Sequence, residues 1–222
     1  MNFTVVIPAA GIGQRVGAKI PKQYLKILDQ SIIEYSLAPF IAHPNIHRII
    51  VSLAHDDIWF KYLSIAQHPK IEIVEGGAER VDSVLAGLQK IEKDEYVLVH
   101  DAARPCLKKS DVDKLIQHVL KTGQGAILAS KVCDTMKRTN AQNQILKTVA
   151  RENLWHALTP QMFNNGLLIK AILAVRGTND ITDEASAMEY YGVPVQLIEG
   201  RMDNLKITCP ADLKLAEFYL KG

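Results

Sequence analysis

The chain opens with Phe3-Thr4-Val5-Val6-Ile7-Pro8-Ala9-Ala10-Gly11-Ile12-Gly13-Gln14-Arg15, and Pro21-Lys22-Gln23 follows at short range. Residues 3–7 are an apolar, β-branched run of the kind expected in a strand buried on both faces of a parallel sheet. The small residues after it suit a loop at the strand's exit. Gly11, Gly13 and Gly17 allow positive φ and close backbone approach, so that successive N–H groups can face an anion. Arg15 and Lys22 add full charges. Two familiar glycine loops do not match: a dinucleotide fingerprint needs a glycine where Val16 stands, and a Walker A loop ends in Gly-Lys-Ser/Thr, whereas Lys22 lies between Pro21 and Gln23. A lone Gly-x-Gly is a surface turn. Its place after the first strand, with two cations, makes this one a polyphosphate cradle.

Strand-like and helix-like segments alternate through the first 130 residues, the pattern of βαβ units on a parallel sheet. Strands are expected at 3–7, 47–53, 71–74, 96–99 and 126–129, and helices at 31–43, after Asp56 or Asp57, at 79–91 and from Ser110 to about 121. The pattern changes at 131, where 131–138 and 144–150 read as a hairpin around a polar turn. A hairpin of that size is marginal alone. Projecting from a wound α/β core, it is expected to dock on a second copy as a dimerisation arm, within a single domain spanning 1–222. Beyond it, 164–176 and 183–191 look helical, 195–198 and 205–208 strand-like, and a last helix begins near Pro210.

Composition excludes several classes. With 222 residues, 48% hydrophobic and 23% charged, the chain is ordinary globular, and a net charge of +2 gives no electrostatic footprint for nucleic acid. Residues 3–10 are too short for a secretory h-region or a membrane span, which suggests a cytoplasmic protein. Cys106, Cys133 and Cys209 lack a CxxC and read as reduced and structural. His43 and His47 share helical spacing, but Pro44 disfavours the helix that would align them as metal ligands.

Three later segments place chemistry at strand ends. Val97-Leu98-Val99-His100-Asp101-Ala102-Ala103-Arg104-Pro105 puts an acid past a buried strand, where Asp101 either caps the turn or holds a magnesium ion bearing triphosphate oxygens. The phosphate loop on the first strand favours the metal. Gly76-Gly77-Ala78-Glu79-Arg80-Val81-Asp82-Ser83 is either a plain strand-to-helix turn or a seat for a flat base, with Ser83 on its edge. In Gly200-Arg201-Met202-Asp203-Asn204-Leu205-Lys206, Lys206 suits a second phosphate and Asp203 a share in the metal, although a lone lysine is by default solvated.

The order PAAGxGxR, PKQY, GGxxRxxSV, VHDAARP, DTMKR, LWHALTPQ, TDEASAxE and DNxKIT resembles the 2-C-methyl-D-erythritol 4-phosphate cytidylyltransferases over nearly the whole chain. PAAGxGxR alone marks only the wider nucleotidyltransferase superfamily. The resemblance implies a Rossmann-like wound, mostly parallel α/β sheet of the nucleotidyltransferase type with a β-hairpin arm. It implies transfer of CMP from CTP to methylerythritol phosphate with Mg2+ and release of pyrophosphate. Arg15 and Lys22 then look like the cations that stabilise the transition state, and Arg151 and Lys206 like the pair that positions the acceptor phosphate. Pro8, Ala9, Ala10, Gly11, Gly13, Gly77, Arg80 and Ser83 belong to the nucleotide pocket, with Asp101 and Ala102 near ribose and metal. Arg104, Thr135, Thr159 and Thr182 match further substrate contacts. In such dimers the arm carries residues into the neighbouring site. Gln14 stands where a second arginine is often found and Ala78 where an acid can occur. Neither removes a charge the mechanism needs.

A phosphate monoester has a second pKa of about 6, so the acceptor is already largely a dianion at neutral pH and needs no general base. Catalysis is then positioning and charge neutralisation, and His100 is expected to be a turn residue. The nearest alternative acceptor is ribitol 5-phosphate. An alternative of another class is a nucleotide-binding regulatory module without turnover, against which Arg15, Lys22, Arg151 and Lys206 together argue, because binding alone needs no acceptor clamp.

Overall fold

The computed structural model describes residues 1–11, 20–177 and 182–222. Gly13, Arg15 and Gly17 of the expected phosphate loop lie outside the described residues.

The chain begins with β1 (Phe3–Pro8), buried almost throughout. A short ribbon of β2 (Lys26–Ile27) and β3 (Gln30–Ser31) leads into α1 (Ile32–Ile41), where Glu34 Oε2 accepts the Ser31 N–H at 2.9 Å. β4 (Ile46–Leu53) follows. The helix expected after Asp57 is only a 3-10 turn at Phe60–Tyr62. Asp57 accepts from the N–H groups of Trp59 and Phe60 at its start, and Leu63 ends it in an extended conformation. Then come β5 (Ile71–Glu75), α2 (Arg80–Leu88), β6 (Tyr96–Val99), α3 (Lys109–Thr122) and β7 (Ala126–Lys131).

One seven-stranded sheet forms from these elements, with β10 (Trp155–Asn164) and β11 (Gln196–Glu199) added, in the order β11-β7-β10-β6-β1-β4-β5. Every pairing is parallel except the two made by β10, which runs antiparallel between β6 and β7. Phe3, Val5 and Ile7 join α1 and α3 in one apolar cluster. Val6 joins α2 and α4 (Asn165–Val175) in another, on the opposite face. A strand covered on both sides has no polar face to show, which is why residues 3–7 read as one unbroken apolar run. α5 (Glu184–Tyr190) packs beside α4, and α6 (Pro210–Lys221) closes a third cluster around Ile27, Cys106 and Ile207.

The hairpin expected at 131–150 is present, with β8 (Met136–Thr139) paired antiparallel to β9 (Ile145–Val149). Nearly every residue of both strands is solvent-exposed, including Ile145 and Leu146. The sequence reading missed β10 because Pro160 stands in its middle, and proline in a run argues against a central strand. The sheet accommodates it with a bulge: Ala157 pairs with Ala129 and Gln161 with Ile127, four steps along β10 against two along β7. The strand expected at 205–208 does not form. That stretch crosses the strand ends instead, tied by the Ile207 N–H to the Ala103 carbonyl at 2.8 Å.

Candidate active site

In a wound sheet, ligands bind beyond the carboxyl ends of the strands where the connection reverses direction. Here the chain leaves β1 toward β4 and β5 and later returns to place β6 on the other side of β1. The loops after β1, β5 and β6 border a cleft of about 310 Å³. Pro8, Ala9, Ala10, Gly11 and Lys22 come from the first loop, Gly77, Arg80 and Ser83 from the second, Asp101 and Ala102 from the third, and Lys206 closes the edge.

Buried Gln23 shapes the first loop by donating from Nε2 to the carbonyls of Ala9, at 2.7 Å, and Gly11, at 3.3 Å. In a trans peptide this leaves the Ala10 N–H on the opposite side of its plane. Gln23 was missed as a site residue, although the PKQ run contained it. Pro21 keeps the following turn at Lys22–Tyr24 short, and Lys22 Nζ reaches across to the Ile207 carbonyl at 2.9 Å.

The second loop passes close to the first. A Cβ on Gly76 would sit 2.7 Å from Ala10 Cβ and 2.8 Å from Ser83 Oγ, so only glycine fits. Ser83 is buried, and its hydroxyl accepts the Gly77 N–H at 3.2 Å. It closes the loop as well as lining the cleft.

A second cavity of about 230 Å³ adjoins the first, lined by Arg104, Ala157, Leu158, Thr159, Gln161, Thr182 and Asp183. The bulge in β10 supplies four of these residues. Arg80, Asp101 and Lys206 line both cavities and form the wall between them. On that wall Asp101 Oδ1 accepts from Arg80 Nε at 3.0 Å, while Oδ2 faces Lys206 Nζ at 3.0 Å and Arg104 Nε at 3.3 Å. Burial alone would raise the Asp101 pKa, but Arg80, Lys206 and Arg104 outweigh it and hold the carboxyl below the usual carboxylate range. Burial likewise works against the Arg80 charge, and Glu184 and Asp101 more than restore it. Arg104 is pulled down by burial, partly offset by Asp101, and its Nη1 donates to the Asn204 carbonyl at 2.8 Å.

His100 is not a simple turn residue. It is fully buried, edge-on to Phe40, with Nδ1 at 2.8 Å from Thr159 Oγ1. The Thr159 oxygen accepts the Asp101 N–H at 3.2 Å, and His100 Nε2 lies 3.4 Å from the Arg104 carbonyl, which can only accept; a neutral ring with its proton on Nε2 therefore takes the Thr159 hydroxyl proton at Nδ1. Burial lowers the His100 pKa to about 3 and keeps the ring neutral.

Three expected site residues lie elsewhere. Arg151 and Thr135 line neither cavity; both are exposed, and Arg151 Nη1 donates to the Cys133 carbonyl near the foot of the hairpin. Asp203 also lines neither cavity. Its carboxylate pairs with Arg201, which lies 3.5 Å from the buried Asp111. Asp101 and Asp203 are therefore not brought together, and among the described residues no group of three or more His, Cys, Asp and Glu forms a metal cage. A magnesium ion held mainly by phosphate oxygens and water needs only one or two carboxylates. Asp101 suits that lone role once an incoming phosphate takes over one of its cations.

Comparison with known proteins gives one answer. The family model of 2-C-methyl-D-erythritol 4-phosphate cytidylyltransferase matches residues 3–222. The cytidylyltransferase of that name from Shewanella halifaxensis is 52% identical over 222 residues, covering 100% of this chain and 96% of the relative. That from Actinobacillus pleuropneumoniae is 53% identical over 220 residues, covering 99% and 96%. Among solved structures, a 4-diphosphocytidyl-2C-methyl-D-erythritol synthase superposes with a TM-score of 0.85 at 34% identity, covering 99% of this chain and 98% of that one. The Francisella tularensis enzyme superposes with a TM-score of 0.83 at 36% identity, covering 99% and 100%. The chain belongs to the 2-C-methyl-D-erythritol 4-phosphate cytidylyltransferase family.

Proposed function

We propose that the two adjoining cavities are the CTP site and the methylerythritol phosphate site of this nucleotidyltransferase, and that CMP passes between them across the wall of Arg80, Asp101 and Lys206. The observation that carries this assignment is the shared wall itself: two cavities of substrate size meet at three charged side chains and nowhere else in their linings. The glycine-lined cavity fits a flat base and the exit loop of β1 fits a polyphosphate. The smaller cavity, with Thr159 and Thr182 beside Arg104, fits a hydroxylated, phosphorylated chain.

The acceptor dianion attacks the α-phosphorus of CTP and pyrophosphate leaves, with no proton to remove. Lys22 and Arg15 act on the triphosphate, and Lys206 and Arg104 draw the acceptor phosphate to the wall. Asp101 would be the protein carboxylate that holds a Mg2+ ion accompanying CTP, which would supply further charge neutralisation at the triphosphate. His100 orients Thr159 and takes no part as a base, because burial keeps it neutral.

The exposed arm fits a homodimer, in which Thr135 and Arg151 of one copy complete the acceptor cavity of the other. Ile145 and Leu146 would then leave water. In that arrangement, mixing inactive Lys206→Ala and Arg151→Ala chains restores about a quarter of the sites. No recovery after subunit exchange between proven dimers overturns it. Among the described residues no helix is long and apolar enough to cross a membrane.

The deciding assay is pyrophosphate release from CTP and Mg2+. Release that requires methylerythritol phosphate, and is far slower with ribitol 5-phosphate, is the expected result. Equal release with both would overturn the acceptor assignment. CTP binding without release under any condition would favour the regulatory module.

A further inference from the structure

Glu184 is the first residue of α5; its side chain is 3% exposed, and it lines neither cavity. A carboxylate that deep needs a partner. It has one in Arg80, whose Nη1 donates to Oε1 at 2.6 Å and Nη2 to Oε2 at 3.1 Å, a two-pronged grip. The remaining guanidinium edge, Nε, is taken by Asp101. Each terminal nitrogen keeps one N–H outside these bonds.

The two ends of this ion pair belong to different parts of the site. Arg80 opens α2, directly after the loop that lines the nucleotide cavity. Glu184 is anchored on the acceptor side, because Gln161 of β10 accepts the Ala185 N–H through Oε1 and donates to Asp183 through Nε2, both at 2.8 Å. The pair therefore bridges the loop after β5 to the strand that lines the second cavity.

We propose that Glu184 is a positioning residue that fixes the Arg80 guanidinium at the seam of the two cavities, so that one cation serves both substrates. The proposal rests on the assignment of CTP and a sugar phosphate to those cavities. Without the grip, Arg80 keeps only its Nε contact to Asp101, and its two terminal nitrogens lose their fixed direction. Both substrates then lose a preorganised charge.

Glu184→Gln keeps the shape and one acceptor oxygen but removes the charge. The expected result is a rise of about tenfold in KM for CTP and for the acceptor alike, measured well below the melting temperature of the variant. A staple that merely held α5 would lower the melting temperature and leave both KM values alone; that result overturns the proposal. The Arg80→Met variant leaves Glu184 buried and unpaired, so the double variant, with both charges gone, is the better-folded comparison. If Glu184 acts through Arg80, the double variant loses no more CTP affinity than Arg80→Met, and independent, additive losses overturn that. Where Arg80→Met does not fold, the KM pair for Glu184→Gln decides. Calorimetric CTP affinity needs no turnover, so the proposal is tested even if wild-type pyrophosphate release disproves the reaction.

Discussion

The two cavities share a wall but are built in different ways. The larger one is lined mainly by short segments that each follow a parallel strand, β1, β5 or β6, with Lys22, Gln23, Lys206 and Thr208 added from further along the chain. The smaller one takes its lining from a bulge in the one antiparallel strand, from the approach to α5, and from Arg104. The first is a property of the sheet's topology, which any wound α/β protein offers to a nucleotide. The second depends on an irregularity in one strand and on side chains from distant parts of the chain. On the proposed assignment, acceptor choice resides where the fold departs from regularity.

Four substitutions sharpen or break that contrast. The largest effect is expected from Lys206→Ala, because Lys206 lines both cavities: kcat/KM falls about a hundredfold or more with either substrate varied. A loss confined to one substrate would mean the wall is not shared. Gly76→Ala should damage only the larger cavity, raising KM for CTP by about tenfold as Ala10 and Ser83 are pushed aside, at a cost of about 1–3 kcal/mol. Equal damage to acceptor KM would show that the two cavities are not separately built. Thr159→Val should weigh more on the smaller cavity, raising acceptor KM by about fivefold with a lesser change in CTP affinity, because it removes a hydroxyl that lines that cavity while also bonding the Asp101 N–H and His100. Isothermal titration with each ligand separates the two.

A further effect concerns acid stability and not substrate binding. His100 has its pKa lowered from 6.5 to about 3, so between those values the unfolded chain binds the proton that the folded chain refuses. Stability therefore falls as pH drops through that window, by up to about 1.4 kcal/mol per pH unit from this group. Asp101, whose carboxyl is held below its usual value of 3.8, adds its loss only below that pH. His100→Asn should flatten the melting-temperature profile between pH 6.5 and 4 relative to the parent. Parallel profiles would show that His100 is not the group responsible.

The same contrast explains what was legible in the sequence. Strand β1 and its loop could be read because burial on both faces and small residues at the exit are local signals, and Gly77, Ser83 and Asp101 followed from strand ends for the same reason. Strand β10 could not, because Pro160 removes a ladder donor and the bulge that absorbs it is visible only against β7. Glu184 and Gln23 have no local mark of function; their importance comes from partners 104 and 14 positions away. The contact of the Asp203 carboxylate with Arg201 is set by the turn at 202–203 and not by residue type alone. Resemblance to a family named Thr159 and Thr182 where spacing alone was silent.

The triple coordination of Asp101 has a further consequence. Three cations pointed at one spot repel one another, and without a counterion they would splay toward solvent. Asp101 keeps Arg80, Arg104 and Lys206 converged, and on the proposed assignment it stands in for the phosphate that these cations would meet. Substrate binding is then an exchange of anions at cations already in place, with little new charge left to assemble at the moment of reaction.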